Sequence, residues 1–268
     1  MNTLAINTPA VQYTSRPSAA ARERMLSRRG EPVFMAGWRR VLMMHFDVDA
    51  GALQRDVPFQ LDLRDGRAFV SLVAFTMEGM RPRFGGRWTA KLFQPIATHD
   101  FLNVRTYVVH GGEPGIHFLA EWLTNRLAVM LGPATFGLPY RYGRLAYDFN
   151  RPRRSLQGRV ADADSRTAIN FRGNLVEPAC FQPVEAGSLT EWLMERYTAF
   201  NAAGGRKQFF RVWHPPWPQC PAQVEVDGLN FLAQHWPWFG AARLVGANYS
   251  PGLDEVWMGR PHRTFPAR

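Results

Sequence analysis

The chain has 268 residues, 46% of them apolar and 13% aromatic, which is far more than a disordered chain carries and enough to fill a sizeable core. Its formal net charge is +10, yet only Lys91 and Lys207 of the 32 basic residues are lysine, and the arginines are spread in ones and twos, densest at 22–40 and 141–159. With no helix-turn-helix, zinc-finger or RNP signature among them, this charge reads as a solvated basic face, and nucleic acid is not the expected partner.

No stretch approaches the roughly 20 apolar residues needed to span a bilayer, and residues 1–18 lack the apolar core of a secretory signal. A cytoplasmic protein with no membrane partner is therefore expected. Cys180 and Cys220 stand in separate proline-rich loops, outside any CxxC pair or metal-spaced histidine pattern. They read as free thiols, with a disulfide as the alternative, and neither a metal site nor a cofactor is expected.

In chain order, residues 19–29 (AAARERMLSRR) predict a short helix after Pro17-Ser18, within a flexible N-terminal arm over 1–30. Residues 38–48 are apolar on both faces, as in a buried strand, and Asp49 caps one or two helical turns that stop before Val57-Pro58. Asp65-Gly66 predicts a hairpin turn between a short strand at 59–63 and a long one at 67–80. Residues 80–95, with Pro82, Gly85, Gly86 and Pro95, read as a long loop of the kind that covers a site. Residues 101–110 (FLNVRTYVVH) form a strand with Asn103, Arg105 and Tyr107 on one face and Leu102, Val104, Thr106 and Val108 on the other. Gly111 to Gly115 then turn the chain back into 116–120.

Residues 122–130 carry Leu123, Leu127 and Met130 at helical spacing and predict the first main helix. Antiparallel strands follow at 140–150, 157–163 and 167–176, with turns at Arg151-Pro152 and 162–165. Ser188 with Glu191 forms a capping box for the second main helix. Strands at 208–213 and 222–226 flank the rigid His214-Pro-Pro-Trp-Pro loop, and two short segments at 243–247 and 254–258 finish the sheet. The expected class is α+β, mainly β, with two main helices in a single domain over 31–260 and a tail at 261–268.

Asn103-Val-Arg-Thr-Tyr-Val followed by a Gly-rich hairpin resembles the signature of the YqjF-like proteins, a bacterial family without an assigned activity. Trp38 with its strand, Gly66-Arg-Ala-Phe-Val, Phe136-Gly-Leu-Pro-Tyr, residues 189–197, Trp213-His-Pro-Pro-Trp217 and Asn248-Tyr-Ser-Pro match in the same order, over residues 33–257. The resemblance implies the fold of acetoacetate decarboxylase, a strongly curved antiparallel sheet forming a cone-shaped barrel around an internal cavity. It also leads to the expectation of an acidic residue about where Phe101 stands, with Asp100 beside it.

In those decarboxylases a lysine following Gly-x-Pro forms a Schiff base with a keto acid; here Gly137-Leu138-Pro139 leads to Tyr140, and a phenol cannot form an imine. Schiff-base decarboxylation is not expected. The polar set that such a fold would turn inward is Asn103, Arg105, Tyr107, Tyr140 and Arg141, with Arg105 as a planar fork for a carboxylate. The leading expectation is a binder of a small organic anion. The alternatives are a lyase or hydrolase acting on a carbonyl or carboxylate compound, with Tyr140 or His214 as acid or base, and a protein-interaction module, a homo-oligomer included.

Overall fold

The computed structural model describes residues 16–150, 152–163, 167–177, 179–203 and 205–264. The first fifteen residues of the expected arm, the last four of the expected tail, and parts of the expected turns at 151 and 162–165 lie outside the described residues.

The chain is mainly β. Its strands are β1 (Phe34–Val48), β2 (Gln60–Leu61), β3 (Ala68–Pro82), β4 (His99–His110), β5 (Glu113–Leu123), β6 (Tyr140–Asn150), β7 (Ser155–Asp162), β8 (Ile169–Leu175), β9 (Thr198–Ala203), β10 (Arg206–Trp213), β11 (Cys220–Asp227), β12 (Arg243–Met258) and β13 (His262–Arg263). The helices are α1 (Arg16–Leu26), α2 (Ala50–Asp56), α3 (Gly86–Phe93), α4 (Arg126–Phe136), α5 (Leu189–Met194) and α6 (Asn230–Ala233), with short 3₁₀ turns at Gln94–Ile96 and Pro237–Ala241. No described helix is long and apolar enough to cross a membrane.

All strands join one sheet, and its pairings run round in a ring. The long strands β12, β1, β3, β4 and β5 form a wall, and β1 is buried on both faces over 41–48, which is why residues 38–48 carry apolar side chains without alternation. Leu42, Met44, Phe46, Leu72 and Val104 fill the core on one side of it, and Val41, Met43, Val73 and Phe101 fill the core on the other. The ring closes by two routes. At Glu121–Leu123, β5 pairs with β6 and leads through β7, β8 and β11 to β12; at Ile116–His117 it pairs with β9 and leads through β10 to the far end of β12.

Several expected elements stand as read, including the Asp49 cap of α2, the Asp65-Gly66 turn, the three strands β6 to β8, and Ser188 Oγ accepting from Glu191 N at 3.1 Å. Others differ for identifiable reasons. The sheet is not wholly antiparallel, because β5 runs parallel to both β6 and β9. The short strand at 60–61 pairs with β4, leaving only an Arg64–Arg67 bridge of the expected hairpin. Within the expected loop at 80–95 lies α3, which begins after the left-handed Gly85. The first main helix starts four residues later than predicted: the chain stays extended to Leu123, and Asn125 caps α4 by accepting from Ala128 N at 3.0 Å. The second main helix is only six residues long and yields to β9. The two segments near the C-terminal end are one sixteen-residue strand, β12, which passes straight through Pro251-Gly252.

The helix of the N-terminal arm is docked. Met25 and Ala21 of α1 are buried, Ser18 Oγ donates to the His214 carbonyl at 2.7 Å, and Arg22 lies over the rings of Trp213 and Trp257.

The β5–β9 closure requires glycine at 115, since a Cβ there would lie 2.5 Å from the Thr198 carbonyl and 2.7 Å from the Phe200 ring. Gly115→Ala is expected to lower stability by about 1–3 kcal/mol, the range for overpacking a core, measured as a fall in the urea midpoint.

Candidate functional site

Asn103, Glu121 and Tyr140 stand in one row across three strands. Asn103 on β4 is the register partner of Glu121 on β5, and Glu121 is the register partner of Tyr140 at the start of β6. The second pairing is parallel and is secured by the Glu121 N–H donating to the Pro139 carbonyl at 3.1 Å. Neighbours directly opposite in a sheet share a face, so the carboxamide, carboxyl and phenol converge.

They converge on a cavity of about 310 Å³. Its walls are otherwise mainly apolar, with Trp38, Phe75, Phe101, Phe118 and Leu138 from the sheet side and Phe93, Ile96, Leu131 and Phe136 from α3, the adjoining turn and α4. Helix α4 comes close enough to cover the row because position 132 is glycine, where a Cβ would overlap the Tyr140 ring. Among the described residues no lysine or arginine lines the cavity.

The electrostatics follow from that absence. Burial alone pushes the Glu121 carboxyl up to about 8, so it carries a proton at neutral pH. Burial, reinforced by Glu121, holds the Tyr140 phenol well above its ordinary value. His99, which also lines the cavity with its ring against Phe101, is pulled down to about 4 by burial and is neutral. Buried polar atoms on the lining residues, among them Trp38 Nε1, Asn103 Oδ1 and Glu121 Oε2, have no hydrogen-bond partner among the described residues. Burying such groups unpaired costs on the order of 1–3 kcal/mol each, a cost that structures seldom carry without use.

The remaining expected site residues lie elsewhere. Arg105 and Tyr107 share the face of Asn103, as alternation predicted, but neither lines the cavity. The Arg105 guanidinium donates from Nη2 to the Leu193 carbonyl at 3.1 Å and rests on the Met43 sulfur at 3.6 Å. Tyr107 donates to the same carbonyl at 3.0 Å and bonds Ser71 Oγ at 2.5 Å, which in turn meets His45 Nδ1 at 2.7 Å. This buried chain ties α5 onto the wall. His214 is buried between the rings of Tyr197 and Trp217, with Nδ1 on the Pro215 carbonyl at 2.7 Å, and burial pulls it down to about 4. Arg141 points away from Tyr140, as consecutive strand residues must. Its guanidinium stacks on Trp122 and bonds the His235 ring at 3.0 Å. Cys180 and Cys220 are free, the first exposed and the second buried.

Glu121 was not among the expected site residues. Its signal in the sequence is a lone carboxylate inside the apolar run 116–123, a position concealed when the helix is started at Trp122. Among the described residues no group of three or more His, Cys, Asp or Glu side chains is placed to hold a metal ion.

Comparison with known proteins agrees with this architecture. The model of the DUF2071 family, described as an uncharacterized conserved protein, matches residues 35–246. The uncharacterized protein YqjF of Bacillus subtilis is 28% identical over 201 residues, covering 71% of this chain and 76% of that protein. Among solved structures, acetoacetate decarboxylase of Legionella pneumophila superposes with a TM-score of 0.62 at 11% identity, covering 87% of each chain. The enduracididine biosynthesis enzyme MppR, in complex with the condensation product of pyruvate and imidazole 4-carboxaldehyde, superposes with a TM-score of 0.61 at 14% identity, covering 87% of this chain and 89% of that one. These likenesses establish an acetoacetate decarboxylase-like fold.

A carboxyl raised from 4.5 to about 8 stabilises the folded chain fully below pH 4.5, and that contribution is lost as pH rises through 8. The buried neutral histidines act in the opposite sense only below their ordinary 6.5, which leaves 6.5 to 8 as the clean window. Across it, wild-type stability is expected to fall relative to Glu121→Gln by about 1.4 kcal/mol per pH unit, measured by urea denaturation at a series of pH values.

Proposed function

This chain belongs to the DUF2071 family, and from that premise and the cavity just described we propose that it binds an uncharged, mainly apolar small molecule whose one carbonyl or hydroxyl group meets the Asn103–Glu121–Tyr140 row. The observation that carries this reading is a mainly apolar cavity, lined by no lysine or arginine among the described residues, whose lining residues Trp38, Asn103 and Glu121 each hold a buried polar atom without a partner. Ligand sites typically have this composition, with apolar walls and a few convergent polar groups. A protonated Glu121 and the Tyr140 hydroxyl can donate to a carbonyl oxygen, and Asn103 Oδ1 can accept from a hydroxyl.

The sequence directs attention to an organic anion held by Arg105. The geometry favours a neutral ligand instead, because the Arg105 fork is engaged by the Leu193 carbonyl outside the cavity and a carboxylate beside Glu121 would be buried without a counter-charge. The reading also excludes Schiff-base decarboxylation. Lys91 is exposed on α3 beside Trp88, Lys207 lies over Phe59 on β10, and neither lines the cavity. The ring of pairings supports the finer description of the fold as a cone-shaped barrel in a single domain. Two free thiols fit a reducing, cytoplasmic setting.

A second reading, a lyase or hydrolase acting on a carbonyl compound, rests on Glu121 itself. A carboxyl that titrates near 8 both gives and takes a proton close to neutral pH, as a general acid or base must.

Native mass spectrometry of the purified protein, followed by denaturing extraction, tests the binding reading. A retained neutral compound that disappears in folded Asn103→Leu and Tyr140→Phe variants is the expected result; a retained carboxylate or phosphate would overturn it. Borohydride treatment in the presence of a 2-keto or 3-keto acid is expected to leave the mass unchanged, whereas a reduced lysine adduct would contradict the exclusion of imine chemistry.

A further inference from the structure

Helix α3 is amphipathic, yet the fold fully buries none of its residues. Phe84, Trp88 and Leu92 follow one another at four-residue spacing, and they are 61%, 83% and 76% exposed. Beside them Met130 of α4 is 65% exposed, and Leu127 and Leu131 are also exposed. The two helices adjoin, since both lie along the turn at Gln94–Ile96, Asn125 Nδ2 donates to the Pro95 carbonyl at 2.6 Å, and the Phe34 ring meets both Phe93 and Phe136. Each helix turns large apolar side chains outwards, and soluble monomers seldom leave such side chains clustered in water.

The charges carried by these two segments have one sign. Residues 81–98 contain Arg81, Arg83, Arg87 and Lys91, and residues 126–136 contain Arg126, with no carboxylate in either segment. On α3 the Arg87 and Lys91 side chains share one flank at four-residue spacing, next to the Trp88–Leu92 stripe, and the Lys91 ammonium lies over the Trp88 ring at 5.9 Å. A short helix with Trp and Leu on one side and Arg and Lys beside them is the composition that lies in the interface of an anionic bilayer.

We propose that α3 and the exposed edge of α4 form a peripheral docking surface for an anionic lipid bilayer, with Phe84, Trp88, Leu92 and Met130 entering the acyl boundary and Arg87 and Lys91 meeting the lipid phosphates. The same elements border the cavity: Phe93, Ile96 and Leu131 line it from within. Docking therefore turns the helical side of the cavity towards the membrane, the source of apolar molecules for which the least desolvation is needed. Surface docking needs no spanning helix, and the surface assignment stands whether or not the cavity binds its proposed ligand.

The test is co-sedimentation of the full chain with vesicles of phosphatidylcholine alone and of phosphatidylcholine containing about one-third phosphatidylglycerol. The expected result is binding to the anionic vesicles at least about tenfold tighter than to the neutral ones, weakening as salt screens the phosphates. Trp88→Ala/Leu92→Ala is expected to weaken this binding about tenfold or more, and Arg87→Glu/Lys91→Glu to abolish the preference for anionic lipid. These positions are exposed, so circular dichroism should show both variants folded. Failure of the wild type to sediment with either vesicle would overturn the proposal, as would variants that bind like the wild type. A dimer seen by light scattering, split by Trp88→Ala/Leu92→Ala and indifferent to vesicles, would also overturn it and assign the face to a second copy of the chain. Ligand retention in the cavity, read separately by native mass spectrometry, is expected to be unchanged in both double variants.

Discussion

Strand β5 pairs with three neighbours, and the cavity depends on how it does so. Along its length it is antiparallel to β4, while Ile116 and His117 run parallel to β9 and its last three residues run parallel to β6. Parallel pairing at two different heights lets one strand pass from one closure of the ring to the other. The crossing from β5 to β6 is made by α4, which must therefore lie over the end of β5, just where Glu121 projects. A row of polar side chains beneath an apolar helix is thus a consequence of connectivity as well as of residue choice.

The polar row and the Arg105 cluster occupy the same face of β4 in different surroundings. The Arg105 guanidinium is engaged by the Leu193 carbonyl and rests on the polarisable Met43 sulfur. Glu121 has no opposite charge beside it, and a buried carboxyl in that position gives up ionisation rather than bear the desolvation cost. One cluster ties α5 to the wall; the other sets a protonated carboxyl beneath α4 at the edge of the cavity.

Much of this was legible in the sequence. The alternation in 101–110 placed Asn103 on the inward face, the Gly137-Leu138-Pro139 motif placed Tyr140 at the site in lieu of a lysine, and several family motifs in order led to the correct fold. What was missed has physical causes. The apolar spacing of Leu123, Leu127 and Met130 fits a helix, but β-pairing with β4 and β6 holds the chain extended through Leu123, so the strand residue Glu121 went unnoticed. Glycines and prolines at 82–95 and 251–252 read as breaks, yet Gly85 starts a helix in the left-handed region and Gly252 lets β12 pass over the Trp38 backbone. Arg105 has the right face but the wrong height: alternation fixes the side of a sheet, and only the position of α5 decides what caps each residue along it.

The ionisation of Glu121 is where the site is most exposed to contradiction. Its side-chain carboxyl can be followed by carbon-13 NMR as pH is varied, with Glu121→Gln identifying the resonance. A midpoint near 8 is expected for a neutral hydrogen-bond donor facing an apolar, cation-free cavity. A midpoint near the ordinary 4.5 would mean a carboxylate that is solvated or paired at neutral pH, and the assignment of the cavity to an uncharged ligand would fail.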